Sequence, residues 1–147
     1  MAIDYGTRRI GLALSDDGGR FATPVDVLHV GAPEEAVRAI LDLIGREGVR
    51  RLVVGLPLNM DDSVGPGARD AARFGRRVAE AAGVPLVLVD ERLSSFQAEQ
   101  DLIDRKRGGE KLTRKMKKDR LDAIAAAGFL QDYLDGKLAA IEWSERS

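Results

Sequence analysis

The sequence predicts an α/β fold: a five-stranded mixed sheet, made of a three-strand antiparallel meander and two parallel strands, with helices on both faces. Three observations predict it. Short β-like runs come first and in close succession, at Ala2–Tyr5, Ile10–Ser15 and Val25–Val30. Two further runs, Arg51–Leu56 and Pro85–Asp90, are almost continuously apolar, as strands buried on both faces are. Amphipathic stretches separate and follow these two, as parallel connections require.

Each element follows from local chemistry. Gly6 lies between the first two strands, and Gly18–Gly19 with Thr23–Pro24 supply the turn before the third. Pro33–Gly48 puts Ala36, Val37, Ile40, Leu41 and Ile44 on one helical face, with Pro33 in the first turn, where its missing N–H is not needed. The loop PLNMDDSVGPG follows the fourth strand. Ala68–Ala82 then reads as a helix with Phe74 and Val78 inward, ending at Gly83. Ser94–Arg107 reads as a helix capped by Ser94 or Ser95 and broken at Gly108–Gly109. A last helix is predicted over about Asp119–Leu134. Residues 1–135 make one domain; 136–147 form a polar, poorly ordered tail that Trp143 could tie down. This order of elements is that of the RNase H-like three-layer α/β/α fold.

Composition narrows the chemistry. A chain of 147 residues fits one compact domain, burying about two-thirds of its unfolded surface. There is no Cys and a single His, His29, which excludes disulfides, thiolate zinc sites and histidine-rich metal sites. Any metal must be a hard cation on oxygen, Mg²⁺ or Mn²⁺. No apolar run approaches the roughly 18 residues of a membrane span and no signal segment opens the chain, so a cytoplasmic protein without a membrane partner is expected. The net charge of −1 hides an asymmetry: Arg105–Lys118 alone carries +7, leaving −8 for the rest.

Acidic residues stand where this layout gathers chain ends. Asp4 ends the first strand, Asp90 and Glu91 follow the fifth, and Asp122 opens the last predicted helix. Sites in such sheets collect outside the carboxyl ends of strands. Taken alone, each Asp reads first as a turn former or cap; Asp90 suits that reading, as does Asp119 as N-cap of the last helix. Taken together, neighbouring carboxylates must share protons or bind cations. With no His or Cys competing, divalent Mg²⁺ or Mn²⁺ is the expected cation, and two such ions about 4 Å apart can support phosphodiester cleavage.

Cations flank these positions. Arg8, Arg9 and Arg92 read as solvated surface or as clamps on a phosphate oxygen. Asn59, Asp61 and Ser63 lie in a glycine-bounded loop that is either plain surface or a contact to sugar and phosphate. The basic stretch holds Arg105, Lys106, Arg107, Lys111, Arg114, Lys115, Lys117 and Lys118. It is either a solvated face or a mobile loop that holds phosphates beside the acidic cluster. Few aromatics lie near it, so backbone and shape recognition suits the chain better than base stacking.

Four segments, DYGTRRIGLA at Asp4–Ala13, VVGLPLNMD at Val53–Asp61, DERLSS at Asp90–Ser95 and DAIAA at Asp122–Ala126, resemble in order and spacing the YqgF/RuvX family, a bacterial branch of the RNase H-like Holliday junction resolvases. The resemblance implies a metal-dependent endonuclease of 16S rRNA 5′-end maturation, with Asp4, Glu91 and Asp122 matching the family's acidic positions. Related junction resolvases carry a comparable Asp pair, which makes Asp119 either a fourth ligand or a cap. Only three residues precede Asp4, so either the first strand is short or the natural start lies upstream. The implied partners are precursor rRNA and ribosomal particles, for a monomer or homodimer. Two rival expectations are a dimeric resolvase of four-way DNA and a non-cleaving RNA-binding assembly factor. Actin-like ATPases share the DxG turn, but this chain is too short for their two lobes.

Overall fold

The computed structural model of the chain describes residues 1–94 and 114–142, with side chains in the last helix described from Leu121 onward. Five strands form one sheet: β1 (Ala2–Tyr5), β2 (Arg9–Ser15), β3 (Ala22–His29), β4 (Leu52–Leu56) and β5 (Leu86–Asp90), in the spatial order β3-β2-β1-β4-β5. β1 pairs antiparallel with β2 and parallel with β4, and β5 pairs parallel with β4. Helices α1 (Pro33–Glu47), α2 (Pro66–Ala82) and α3 (Arg114–Leu134) complete the fold, which is the predicted α/β architecture with its meander and two parallel strands.

Strand alternation divides the sheet into two faces. On one, Ile3, Ile10, Leu12, Leu52, Val54, Leu56 and Leu88 pack with α1 residues Ala36, Val37, Ile40 and Ile44 and α2 residues Phe74 and Val78. Tyr5 lies on this face and stacks on Phe74, ring centroids 4.8 Å apart. On the other face, Ala2, Ala13, Val53 and Val89 meet Ala126, Ala127, Phe129 and Leu130 of α3. Each large side chain buried this way contributes about 1.5–3 kcal/mol. Burial from both sides accounts for the continuous apolar runs of β4 and β5.

Several expectations change in detail. β3 begins at Ala22, not Val25, and its register with β2 shifts between Leu12 and Ala13, where Pro24 lies opposite. Pro24 lacks a donor, yet an edge strand with a bulge tolerates it. α3 begins at Arg114, well before Asp119, because Lys, Arg and Met are good helix formers and the charge run simply continues the helix. Asp122 therefore lies about two turns inside α3 and does not open it. For the same reason Asp119 cannot be its N-cap, and residues 114–118 are helix, not loop. The tail is also partly packed: Leu138 is buried, and the Ile141 N–H donates to the Leu88 carbonyl on the outer edge of β5 at 2.7 Å.

The helix predicted over Ser94–Arg107 lies outside the described residues, as does Trp143. Ser94 itself is described, and its hydroxyl donates to the buried Asp132 of α3 at 3.2 Å. Among the described residues no helix is long and apolar enough to cross a membrane.

Candidate active site

Asp4 lies on the α3 face of β1, directly opposite Gly11 of β2. A Cβ on Gly11 would stand 2.0 Å from the carbonyl oxygen of Asp122 and 2.7 Å from the amide nitrogen of Ala123. The missing side chain therefore seats the α3 backbone on the sheet at Asp122, over the strand neighbour of Asp4. Arg9, two residues earlier on that face, completes the seating: its Nε donates to Asp122 Oδ2 at 2.7 Å.

The other carboxylate arrives from β5. The strand ends at Asp90, and Glu91 opens a short 3₁₀ turn, Glu91–Leu93, capped by the Asp90 side chain accepting from the Arg92 N–H at 3.0 Å. Gly55 of β4 makes room for it. A Cβ there would lie 3.2 Å from Glu91 Oε2 and 2.8 Å from Phe129 Cε1. Glu91 thus lies against β4, next to β1, and shares a side-chain hydrogen bond with Asp4.

The electrostatics follow from this crowding. Burial first, then the charges of Glu91 and Asp122, push the Asp4 carboxyl up to about 7. Burial and the Asp90 charge also raise Glu91, while the bond from Asp4 opposes that rise. The two carboxyls therefore share a proton and resist ionising together. Neither carboxyl has an ion-pair partner among the described residues, so ionising both leaves buried charge that only a cation can offset. The donor set, oxygen alone, suits a hard divalent ion. Among the described residues no three such groups stand already arranged around a metal position, since Asp4 and Glu91 hold one another and Asp122 turns to Arg9.

Arg92 is placed as a strut. Its guanidinium reaches Asp90 through Nε at 3.0 Å and Nη2 at 2.7 Å, Asp62 Oδ1 at 2.7 Å, and the Asn59 carbonyl through Nη1. It depresses the Asp90 carboxyl below its usual range. Asp62, at φ 67°, presents its carboxylate from a left-handed turn. The loop is otherwise closed on itself: Asn59 Nδ2 donates to Ser63 Oγ at 2.9 Å, and the Ser63 N–H donates to Asp61 at 3.0 Å. Lysine has no planar fork to span three acceptors. Arg92→Lys is thus expected to release the loop, read as roughly tenfold faster hydrogen exchange at the Asn59 and Asp62 amides.

Arg8 is exposed, its carbonyl accepting from the Val30 N–H at 2.9 Å. Arg114, Lys115, Lys117 and Lys118 lie on the first turns of α3, where side chains are not described, and Asp119 shares that segment. Arg105, Lys106, Arg107 and Lys111 lie outside the described residues. Sequence reasoning missed Gly11, Gly55 and Asp62. Two of these carried a signal, a glycine inside a strand, which marks close approach of another backbone or side chain.

The family described as "RuvX: Holliday junction resolvase" matches residues 1–136. Among curated relatives, a protein of Acidiphilium cryptum (strain JF-5) is 41% identical over 135 residues, 92% of this chain and 82% of that protein. One from Anaeromyxobacter sp. (strain Fw109-5) is 43% identical over 139 residues, 95% and 98% of the two chains. Both carry the name "Putative pre-16S rRNA nuclease". Among solved structures, "T. thermophilus RuvC in complex with Holliday junction substrate" aligns with a TM-score of 0.59 at 16% identity, covering 95% of this chain and 96% of that one. The uncomplexed Thermus thermophilus RuvC gives 0.56 at 17% identity, covering 95% and 97%. At such identity the likeness shows a shared fold.

Proposed function

The chain belongs to the RuvX family of Holliday junction resolvases, and from that premise we propose that it is a metal-dependent endonuclease of 16S rRNA 5′-end maturation, acting in the cytoplasm. One observation carries the reading: Asp4 and Glu91 share a hydrogen bond in a buried place at the end of the central strands, with the Asp122 charge felt there. Asp4, Glu91 and Asp122 would hold the cation, with Asp119 a further candidate. Bound there, Mg²⁺ or Mn²⁺, two ions in this reading, would supply Lewis acidity for phosphodiester hydrolysis.

The chain's own groups do the rest. Asp4 and Glu91 keep one proton between them, and it is this pair that would give up its proton to hold a cation. Arg9 holds Asp122 in line and offers a guanidinium edge to a phosphate. Arg92 keeps the Asn59–Ser63 loop against Glu91. The lysines and arginines of 105–118 hold the RNA backbone, precursor rRNA free or within ribosomal particles, through phosphate contacts that carry no sequence information. The family's description favours a second reading, cleavage of four-way DNA by a homodimer, which needs a two-fold interface presenting two sites.

The test is a cleavage assay with Mn²⁺, run side by side on a precursor rRNA leader and a four-way junction. Leader cleavage that falls at least about 100-fold in Glu91→Gln and in Asp122→Asn supports the proposal. Junction-only cleavage by a dimer selects the second reading. No cleavage of either substrate, with leader binding retained, leaves an RNA-binding assembly factor. Activity that survives Asp122→Asn but not Asp119→Asn moves the third ligand to Asp119.

A further inference from the structure

We propose that the outward face of α2 is a phosphate-binding track that takes a nucleic-acid strand onward from the acidic centre. Arg69, Arg73, Arg76 and Arg77 fall within about 100° of one another around the helix, and only Asp70 and Glu80 oppose them on α2. Arg69, Arg73 and Arg77 are exposed and recur every four residues, a rise of about 6 Å, so the cations form a line and not a single point. Arg73, Arg76 and Arg77 line a concavity of about 550 Å³ with Glu80 and Ala81. Arg76 also borders the groove of about 1030 Å³ that runs beside Leu86 and Leu88 of β5.

The position of the track gives it direction. α2 starts at Pro66, directly after the loop that Arg92 fastens beside Glu91. A strand leaving the carboxylates over this loop meets Arg69 first and Arg77 last. Arg77 lies 4.0 Å from Glu34 of α1, a long and half-exposed pair that leaves its other donors usable. The occupant is a polyanion. The four large apolar side chains exposed among the described residues, Phe21, Val25, Met60 and Leu93, all lie off α2, so a protein partner finds no apolar anchor there. Planar guanidinium forks match phosphate oxygens. The track rests on the nucleic-acid reading above and extends it to the sheet face opposite α3.

The experiment measures binding without turnover, so it does not depend on whether the protein cleaves. Affinity of the Asp4→Asn protein for a fluorescent precursor rRNA leader is followed from 50 to 300 mM salt. Adding Arg69→Gln, Arg73→Gln and Arg77→Gln is expected to weaken binding at least tenfold and reduce the salt slope by about 2 to 3, some 0.7–0.9 per lost phosphate contact. Each single substitution should weaken binding about twofold and lower the slope by about 0.7–0.9. Arg46→Gln with Arg50→Gln, near the far end of α1, should leave the slope unchanged. An unaltered slope in the triple variant, with its melting temperature preserved, overturns the track. So does an equal loss by the Arg46/Arg50 control. A parallel loss of binding to a polyglutamate peptide reassigns the face to acidic proteins.

Discussion

Asp4→Asn is expected to stabilise the metal-free fold while removing cleavage. The Asp4 carboxyl sits near 7 in the folded protein, well above the usual carboxylate range. A group raised by folding contributes its full stability below the unfolded value, near 4, and loses it as pH rises through the folded one. Each decade is worth about 1.4 kcal/mol, so the metal-free protein should lose about 2–3 kcal/mol between pH 5 and pH 8. The raised Glu91 acts in the same direction. Asparagine keeps the shape and cannot ionise, so its profile should be flatter, keeping only the part that Glu91 supplies. Urea denaturation in EDTA at the two pH values measures both. Mn²⁺ at pH 8 should restore the wild type by mass action and leave Asp4→Asn unmoved. Cleavage should fall on the order of 1000-fold, about 4 kcal/mol of transition-state stabilisation. A wild-type profile no steeper than the variant's removes the buried-carboxyl account of Asp4.

The second large effect is at Gly11. Gly11→Ala places a carbon 2.0 Å from a backbone oxygen and 2.2 Å from the Asp122 carbonyl carbon, and no rotamer change relieves a clash between two main chains. α3 must lift from β2, loosening Phe129 and Leu130 and separating Arg9 from Asp122. The expected loss is about 3 kcal/mol, at the upper end for overpacked sites, with activity falling beyond what unfolding explains. Gly55→Ala should be milder, because its neighbours are side-chain atoms of Glu91 and Phe129. Gly45→Ala on α1 meets nothing within 4 Å and should stabilise by about 0.5–1 kcal/mol through helix propensity. Urea midpoints of the three variants give the ranking, and Gly11→Ala near the wild type would mean that α3 is not seated as described.

The strands were legible because burial on both faces leaves a mark in one segment at a time: LVVGL and LVLVD need no partner to be read. The site was legible as residue types, since carboxylates at strand ends are few. Its seating was not. Gly11 matters for what lies above it, and Asp122 is 111 residues further along the chain. Arg92 carries no local sign that its acceptors are Asp62 and the Asn59 carbonyl, 30 and 33 residues back. The start of α3 was misread because a run of Lys and Arg looks like solvated loop by charge, whereas propensity favours helix. The α2 arginines were passed over for a similar reason. Alanines and acids dilute them in sequence, and only the helical period collects them on one side.

The contact between Arg9 and Asp122 spans 113 positions, and it has a bearing on the protein's synthesis. Asp4 leaves the ribosome well before α3 does. Until α3 emerges and docks on β2, an unfinished chain holds the Asp4 strand without its third carboxylate. Under the proposed function, cutting power would therefore appear only once α3 has docked, and a growing copy that stops short of α3 would lack it.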